Sequence, residues 1–170
     1  MQDNTQYYGL ISRVLHWSMA ACFAFMLFTA SVESFGGDFG EWIPVHKSVG
    51  TILLALIVLR IVWAFSQASK RSKADNIAVK LGHLALYVLM FAVPFTAMLR
   101  QYGGARGSLK VFGVEVMQGS PEKIDALVNI GNAAHGNLGW ILFALAAGHI
   151  AMAIVHQIKG EKIINRMAGR

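Results

Sequence analysis

The sequence predicts an all-α fold, a four-helix transmembrane bundle with both termini cytoplasmic. Three observations predict it. Of the 170 residues, 55% are hydrophobic and only 14% are charged, against about 25% charged in a typical soluble domain. Mean hydropathy is +0.50. Four stretches carry one charge or none over the length of a membrane crossing. So few charges cannot cover a water-facing surface, which excludes an ordinary cytosolic enzyme and a disordered chain. The single cysteine, Cys22, excludes a disulfide framework and a thiolate zinc or iron–sulfur site. The net charge is +6 and the pI about 9.7. In a soluble chain that balance points to nucleic acid. Here the basic residues sit between apolar runs and report topology instead, so no nucleic-acid partner is expected.

The helices follow from reading charge to charge. Arg13 and Glu33 enclose 19 uncharged residues, and Lys80 and Arg100 another 19. Lys47 and Lys70 enclose 22, broken only by Arg60, and Asp125 and Lys159 enclose 33. A crossing needs roughly 20 apolar residues, which places helices near 14–32, 48–67, 81–99 and 134–158. The last run is longer than one span, so its helix is expected to project past a membrane face. Pro94 inside the third span predicts a kink. Thr29-Ala30-Ser31 loosely resembles a signal-peptide cleavage site, but the apolar stretch is long and three spans follow, so the first helix reads as an uncleaved anchor. Residues 108–118 read as a short β-like or amphipathic stretch after the Gly-rich 103–107. No repeat or linker divides the chain, so residues 1–170 form one domain.

Orientation follows from Lys and Arg. Arg13, Lys70, Arg71, Lys73, Lys80, Lys159, Lys162, Arg166 and Arg170 make nine on one side, against Lys47, Arg100, Arg106, Lys110 and Lys123, five, on the other. The richer side is cytoplasmic. The connections at 33–47 and 100–133 then face outward.

All six histidines, His16, His46, His83, His135, His149 and His156, lie in or at the rims of the spans. Polar side chains there are costly, and they usually face the bundle interior or mark a functional site. A single such histidine is as often a packing residue; six in four helices are not. His135 and His149 are 14 residues apart, 40° short of four full turns, so they share a face at levels separated by roughly 21 Å. His46 lies 24 residues before Lys70 and His135 lies 24 before Lys159, so their depths match. His16 lies near the inner start of its helix and pairs with His149 or His156. Depth alone favours His156; the closer spacing that electron transfer needs favours His149. Two stacked His–His pairs are what two b-type haems require, and bis-histidine ligation leaves no open iron site, which assigns electron transfer rather than oxygen chemistry. Gly50, Gly136, Gly139 and Gly148 beside the ligands leave room for a flat macrocycle or serve helix packing, with equal weight. No two histidines are three or four residues apart and the spans hold no Asp or Glu, which disfavours zinc or di-iron.

Several motifs together resemble the prokaryotic cytochrome b561 family. They are Arg13-Val14-Leu15-His16-Trp17, His46-Lys47-Ser48-Val49-Gly50, Arg60, Gly82-His83-Leu84-Ala85-Leu86-Tyr87 with Pro94, His135, His149, and the tail from His156 through Asn165-Arg166-Met167. Asn137 and its neighbours depart from the family pattern without touching the ligands. The resemblance covers essentially the whole chain. It implies a di-haem inner-membrane protein in which His16 and His149 hold the inner haem, and His46 and His135 the outer one. It also implies exchange with the quinone pool, as ubiquinone or menaquinone, and oxidation of superoxide at the outer face as one activity in the family. Partners are then lipid, quinone, and superoxide or another periplasmic donor or acceptor; a homodimer stays open.

Arg60, 14 residues after His46, is expected to pair with an inner-haem propionate or to snorkel to the headgroups. His83 and His156 are candidates for quinone binding and proton delivery, with propionate or interfacial hydrogen bonding as the alternative. Lys47 is expected to steer superoxide to the outer haem, or to bind a propionate or lipid headgroup. An oxidoreductase that stands alone is favoured over a cytochrome b anchor subunit passing electrons between quinone and a partner enzyme, because the connection at 100–133 is short for docking. A non-redox transporter using the histidines as proton relays is the third reading.

Overall fold

The structure, a computed structural model, describes residues 2–70 and 76–169. Arg71, Lys73 and Arg170, three of the residues that orient the sequence, lie outside the described residues. Four long helices, α1 (Leu10–Ser34), α2 (Ile43–Ser66), α3 (Ile77–Gly103) and α4 (Asp125–Ile158), are followed by a short α5 (Ile163–Ala168). A hairpin of β1 (Leu109–Val111) and β2 (Val114–Met117) separates α3 from α4. All four long helices are long and apolar enough to cross a membrane.

Every long helix begins before the position that charge spacing predicts. Charges mark the edge of the apolar run, whereas the hydrogen-bonded helix continues until a cap stops it. Pro44 opens α2, where its missing N–H costs nothing, so His46 and Lys47 stand inside α2 rather than before it. The Asn76 side chain accepts from the Ala78 N–H at 2.8 Å and caps α3. That helix runs through Pro94 to Gly103. Asp125 opens α4 nine residues earlier than expected and suits the positive end of the helix dipole.

The helices pack in sequence order, α1 on α2, α2 on α3, and α3 on α4 along the most extensive seam. Met19, Leu53 and Ile57 form a buried core between α1 and α2, with Phe23, Met26, Tyr87 and Met90 packed against it. Many large apolar side chains, among them Val62, Phe65 and Leu84, face outward, as the solvent of a bilayer requires. Gly131 lets α4 approach α3 closely, because a β-carbon there would collide with Arg100 and the Thr96 carbonyl.

Both termini meet at one end of the bundle. Asp3 is buried there, and its carboxylate accepts from the Gly9 N–H and the Ser12 hydroxyl. Ser12 Oγ in turn accepts from Trp63 Nε1. Arg166 of α5 donates to the carbonyls of Thr5 and Gln6. Trp17 and Arg13 of α1 donate to the carbonyls of Met167 and Ala168, and Gln157 of α4 donates to Asn165. The hairpin lies at the opposite end. Phe112 and Gly113 both take left-handed backbone, φ +46° and +89°, the geometry of a two-residue hairpin turn. The Phe112 N–H docks on Ser48 Oγ at 3.0 Å, which seats the hairpin on α2.

Candidate functional site

The histidines gather in two groups. At the hairpin end, α2 presents His46 and α4 presents His135. Their ring centres lie 6.1 Å apart with the planes at 83°. His46 Nδ1 lies 2.8 Å from Thr29 Oγ1, and the Thr29 hydroxyl lies 3.0 Å from the Met26 carbonyl and 3.2 Å from that of Phe25. One hydroxyl carries one proton, so Thr29 donates to its own helix and accepts from His46 Nδ1–H. His135 Nδ1 lies 3.0 Å from the Val93 carbonyl, which can only accept. Both imidazoles therefore carry their proton on Nδ1 and keep a lone pair on Nε2. That is how metal-bound histidines are usually held.

The two rings stand at one level on facing helices, and their Nε2 lone pairs are the donors that could hold a haem iron. Three cations gather at this end of the bundle. Lys47 Nζ is half-buried and donates to Gln101 Oε1 at 2.8 Å, and Arg100 and Arg106 lie within electrostatic range of it. Of these cations, Arg100 lies within electrostatic range of both rings, and Lys47 is tied to Gln101 of α3.

Toward the terminal end lie His149 of α4 and His83 of α3, with ring centres 5.4 Å apart and planes at 80°. His83 Nδ1 lies 2.8 Å from the Val79 carbonyl, so it too keeps Nε2 free. His16 of α1 stands edge-on to Trp17 at 5.3 Å, within electrostatic range of His149, His83 and Arg60. Three imidazoles and one arginine thus share this level. Arg60 Nε donates to the Tyr87 hydroxyl at 3.3 Å, while its Nη1 is buried with no hydrogen-bond partner among the described residues. An orphaned cationic donor inside an apolar span is costly and fits an acidic group such as a haem propionate. His156 stands apart at the end of α4, with Nδ1 2.9 Å from Glu161 Oε2.

The glycines divide. A β-carbon on Gly136 or Gly148 would meet nothing within 4 Å, whereas one on Gly50 would meet Met26 at 3.3 Å and one on Gly139 would meet Val93 at 4.0 Å. Gly136 and Gly148 are exposed and border open space among the described residues; Gly50 and Gly139 touch neighbouring helices.

Sequence reasoning missed Thr29, Gln101 and the phenylalanine pair Phe23–Phe143, which meets at 4.9 Å between α1 and α4. A hydroxyl inside an apolar run was the available signal for Thr29. Nothing local distinguishes the two phenylalanines among the ten in the chain.

Four apolar spans bearing paired histidines with free Nε2 atoms, an orphaned arginine and open space beside small residues follow the plan of a membrane cytochrome b. The family model described as prokaryotic cytochrome b561 matches residues 7–170, and the chain belongs to that family. It is similar to cytochrome b561 homolog 2 of Escherichia coli (strain K12), 28% identical over 173 residues, covering 96% of this chain and 92% of that protein. Membership makes it a multi-pass bacterial membrane protein whose family carries electrons across the membrane on b haem.

Proposed function

We propose that the chain holds two b haems, one at each histidine level, and passes electrons between the quinone pool and the outer face of the inner membrane. The observation that carries this reading is the His46–His135 pair, set 6.1 Å apart with both Nδ1 protons engaged. His46 and His135 hold the outer group. His16 and His149 hold the inner one, and the neighbouring His83 and Arg60 support that reading by supplying a ring contact and a free cationic donor. When bound, b haem would supply a one-electron couple.

The protein's own groups do the rest. Thr29 and the Val93 carbonyl fix the tautomer and aim of the outer imidazoles. Arg60 Nη1 receives a propionate oxygen. At the terminal end, His83 offers a hydrogen bond to a quinone carbonyl. His156, with Glu161 beside it, moves protons between that site and water. Lys47, with Arg100 and Arg106 near it, draws a small anion such as superoxide to the outer pair. Both termini lie on the cytoplasmic side, supported by the excess of Lys and Arg at that end.

The test is direct. The protein purified alone is expected to hold two haems per chain and to show a b-type reduced-minus-oxidised spectrum. Superoxide should reduce it, and ubiquinone or menaquinone should reoxidise it. One haem per chain overturns the two-level reading. Reduction only in the presence of a co-purifying enzyme would assign the anchor-subunit role instead.

A further inference from the structure

The bundle is closed on three sides by packed helices, but α1 and α4 do not pack along one another. Among the described residues they meet through an aromatic contact, Phe23 of α1 on Phe143 of α4, with ring centres 4.9 Å apart and planes at 56°. The position of this contact is specific. On α4, Phe143 lies between His135 and His149, about 12 Å along the axis from the first and about 9 Å from the second. On α1, Phe23 lies between His16 and Thr29, the residue that holds His46, at about 10 Å and about 9 Å. Phe23 is anchored in the buried core by Met19, Leu53 and Ile57, and Trp140 stands edge-on to Phe143 at 5.6 Å.

We infer that Phe23 and Phe143 form an aromatic partition that divides the α1–α4 seam into two haem compartments and sets the electronic coupling between them. The inference rests on the two-haem reading and adds the element that separates the haems. The histidine pairs would hold the haems, but they leave the α1–α4 seam between the two levels unfilled. Two packed rings at mid-depth fill it. They would exclude a lipid chain from the gap and place polarisable carbon between the two histidine levels. Transfer between the levels moves one electron and no proton, and breaks no bond.

The experiment uses the purified holoprotein. Phe143→Leu carries the test, since Phe23 also supports the core. Phe143→Tyr keeps the ring, and Phe91→Leu alters an exposed aromatic pair on α3. Three quantities are read: haem per chain, the low-spin electron paramagnetic resonance signals of both haems, and the rate of inter-haem equilibration after photoreduction. Phe143→Leu is expected to keep two haems, shift both signals and slow the inter-haem rate. Phe143→Tyr and Phe91→Leu are expected to match wild type. Unchanged signals and rate in Phe143→Leu would overturn the partition while leaving the two-haem reading intact. Haem loss in Phe143→Leu or in Phe143→Tyr would also overturn it, because the partition is expected to set the coupling with both haems in place. A wild-type protein with one haem would remove the reading itself.

Discussion

Thr29 Oγ1, fully buried on α1, accepts the Nδ1 proton of His46 on α2 at 2.8 Å. A hydroxyl sixteen residues inside an apolar run's first helix thus sets the tautomer of a histidine on the next one. Removing it with Thr29→Val keeps the volume but frees the His46 ring to rotate and shift its proton. Partners of this kind typically contribute about 10- to 100-fold in affinity for the bound metal group. The outer haem is expected to be lost first on dilution or heating, with the inner haem unaffected. Haem titration of the purified variant measures this.

Histidine replacements should separate the two levels. His46→Ala or His135→Ala is expected to take the protein from about two haems per chain to about one. His16→Ala and His149→Ala should each do the same for the other haem. The contact of His83 with His149 makes His83→Ala the informative control. It should keep both haems but slow quinone reduction. Retention of both haems in His16→Ala with loss in His83→Ala would reassign the inner pair.

Arg60 carries a buried Nη1 without a partner among the described residues. A cation near a haem favours the reduced state, so its removal lowers the potential. Arg60→Gln is expected to lower the inner midpoint by on the order of 60 mV, a tenfold change in a one-electron equilibrium. Potentiometric titration with both haems in place checks it. Arg60→Lys keeps the charge and should recover most of the shift.

The glycines predict opposite outcomes. Gly136 and Gly148 have open space where a β-carbon would go, and Gly131 has Arg100 and the Thr96 carbonyl. Gly148→Leu should leave the haem-free chain folded and lower haem occupancy, because the side chain fills the space the macrocycle needs. Gly131→Ala forces α3 and α4 apart, and overpacking of that kind costs about 1–3 kcal/mol. Its loss should appear as a lower thermal midpoint with or without haem.

Lys47 tests the outer face. It is seated by Gln101 with Arg100 and Arg106 nearby. Steering by such a cluster weakens as salt shortens the screening length, which is about 10 Å at 0.1 M. Haem reduction by superoxide should slow as ionic strength rises. Lys47→Gln should be slower at low salt and less salt-dependent. Equal slopes in the two proteins would leave Lys47 as a purely structural donor to Gln101.

The sequence by itself determined the four spans, the matched depth of His46 and His135, and, through family membership, b haem as the cofactor class. Hydropathy and helical rise are local properties: a run of apolar residues gives a crossing, and a 14-residue interval gives a shared face at a known spacing. Matching depths placed His46 beside His135, where the rings stand 6.1 Å apart. Only the tertiary structure decided which side chains complete each level. The Thr29 hydroxyl on His46, the Val93 carbonyl on His135, and the Tyr87 hydroxyl on Arg60 join residues on different helices. Their rotation about the helix axes is fixed by packing rather than by sequence spacing. The same holds for Gly131 and Gly148, alike as letters, of which one lies under a neighbouring backbone and the other beside open space. It holds also for Phe23 and Phe143, 120 positions apart in the chain and in contact only because α1 and α4 close the ring of helices there.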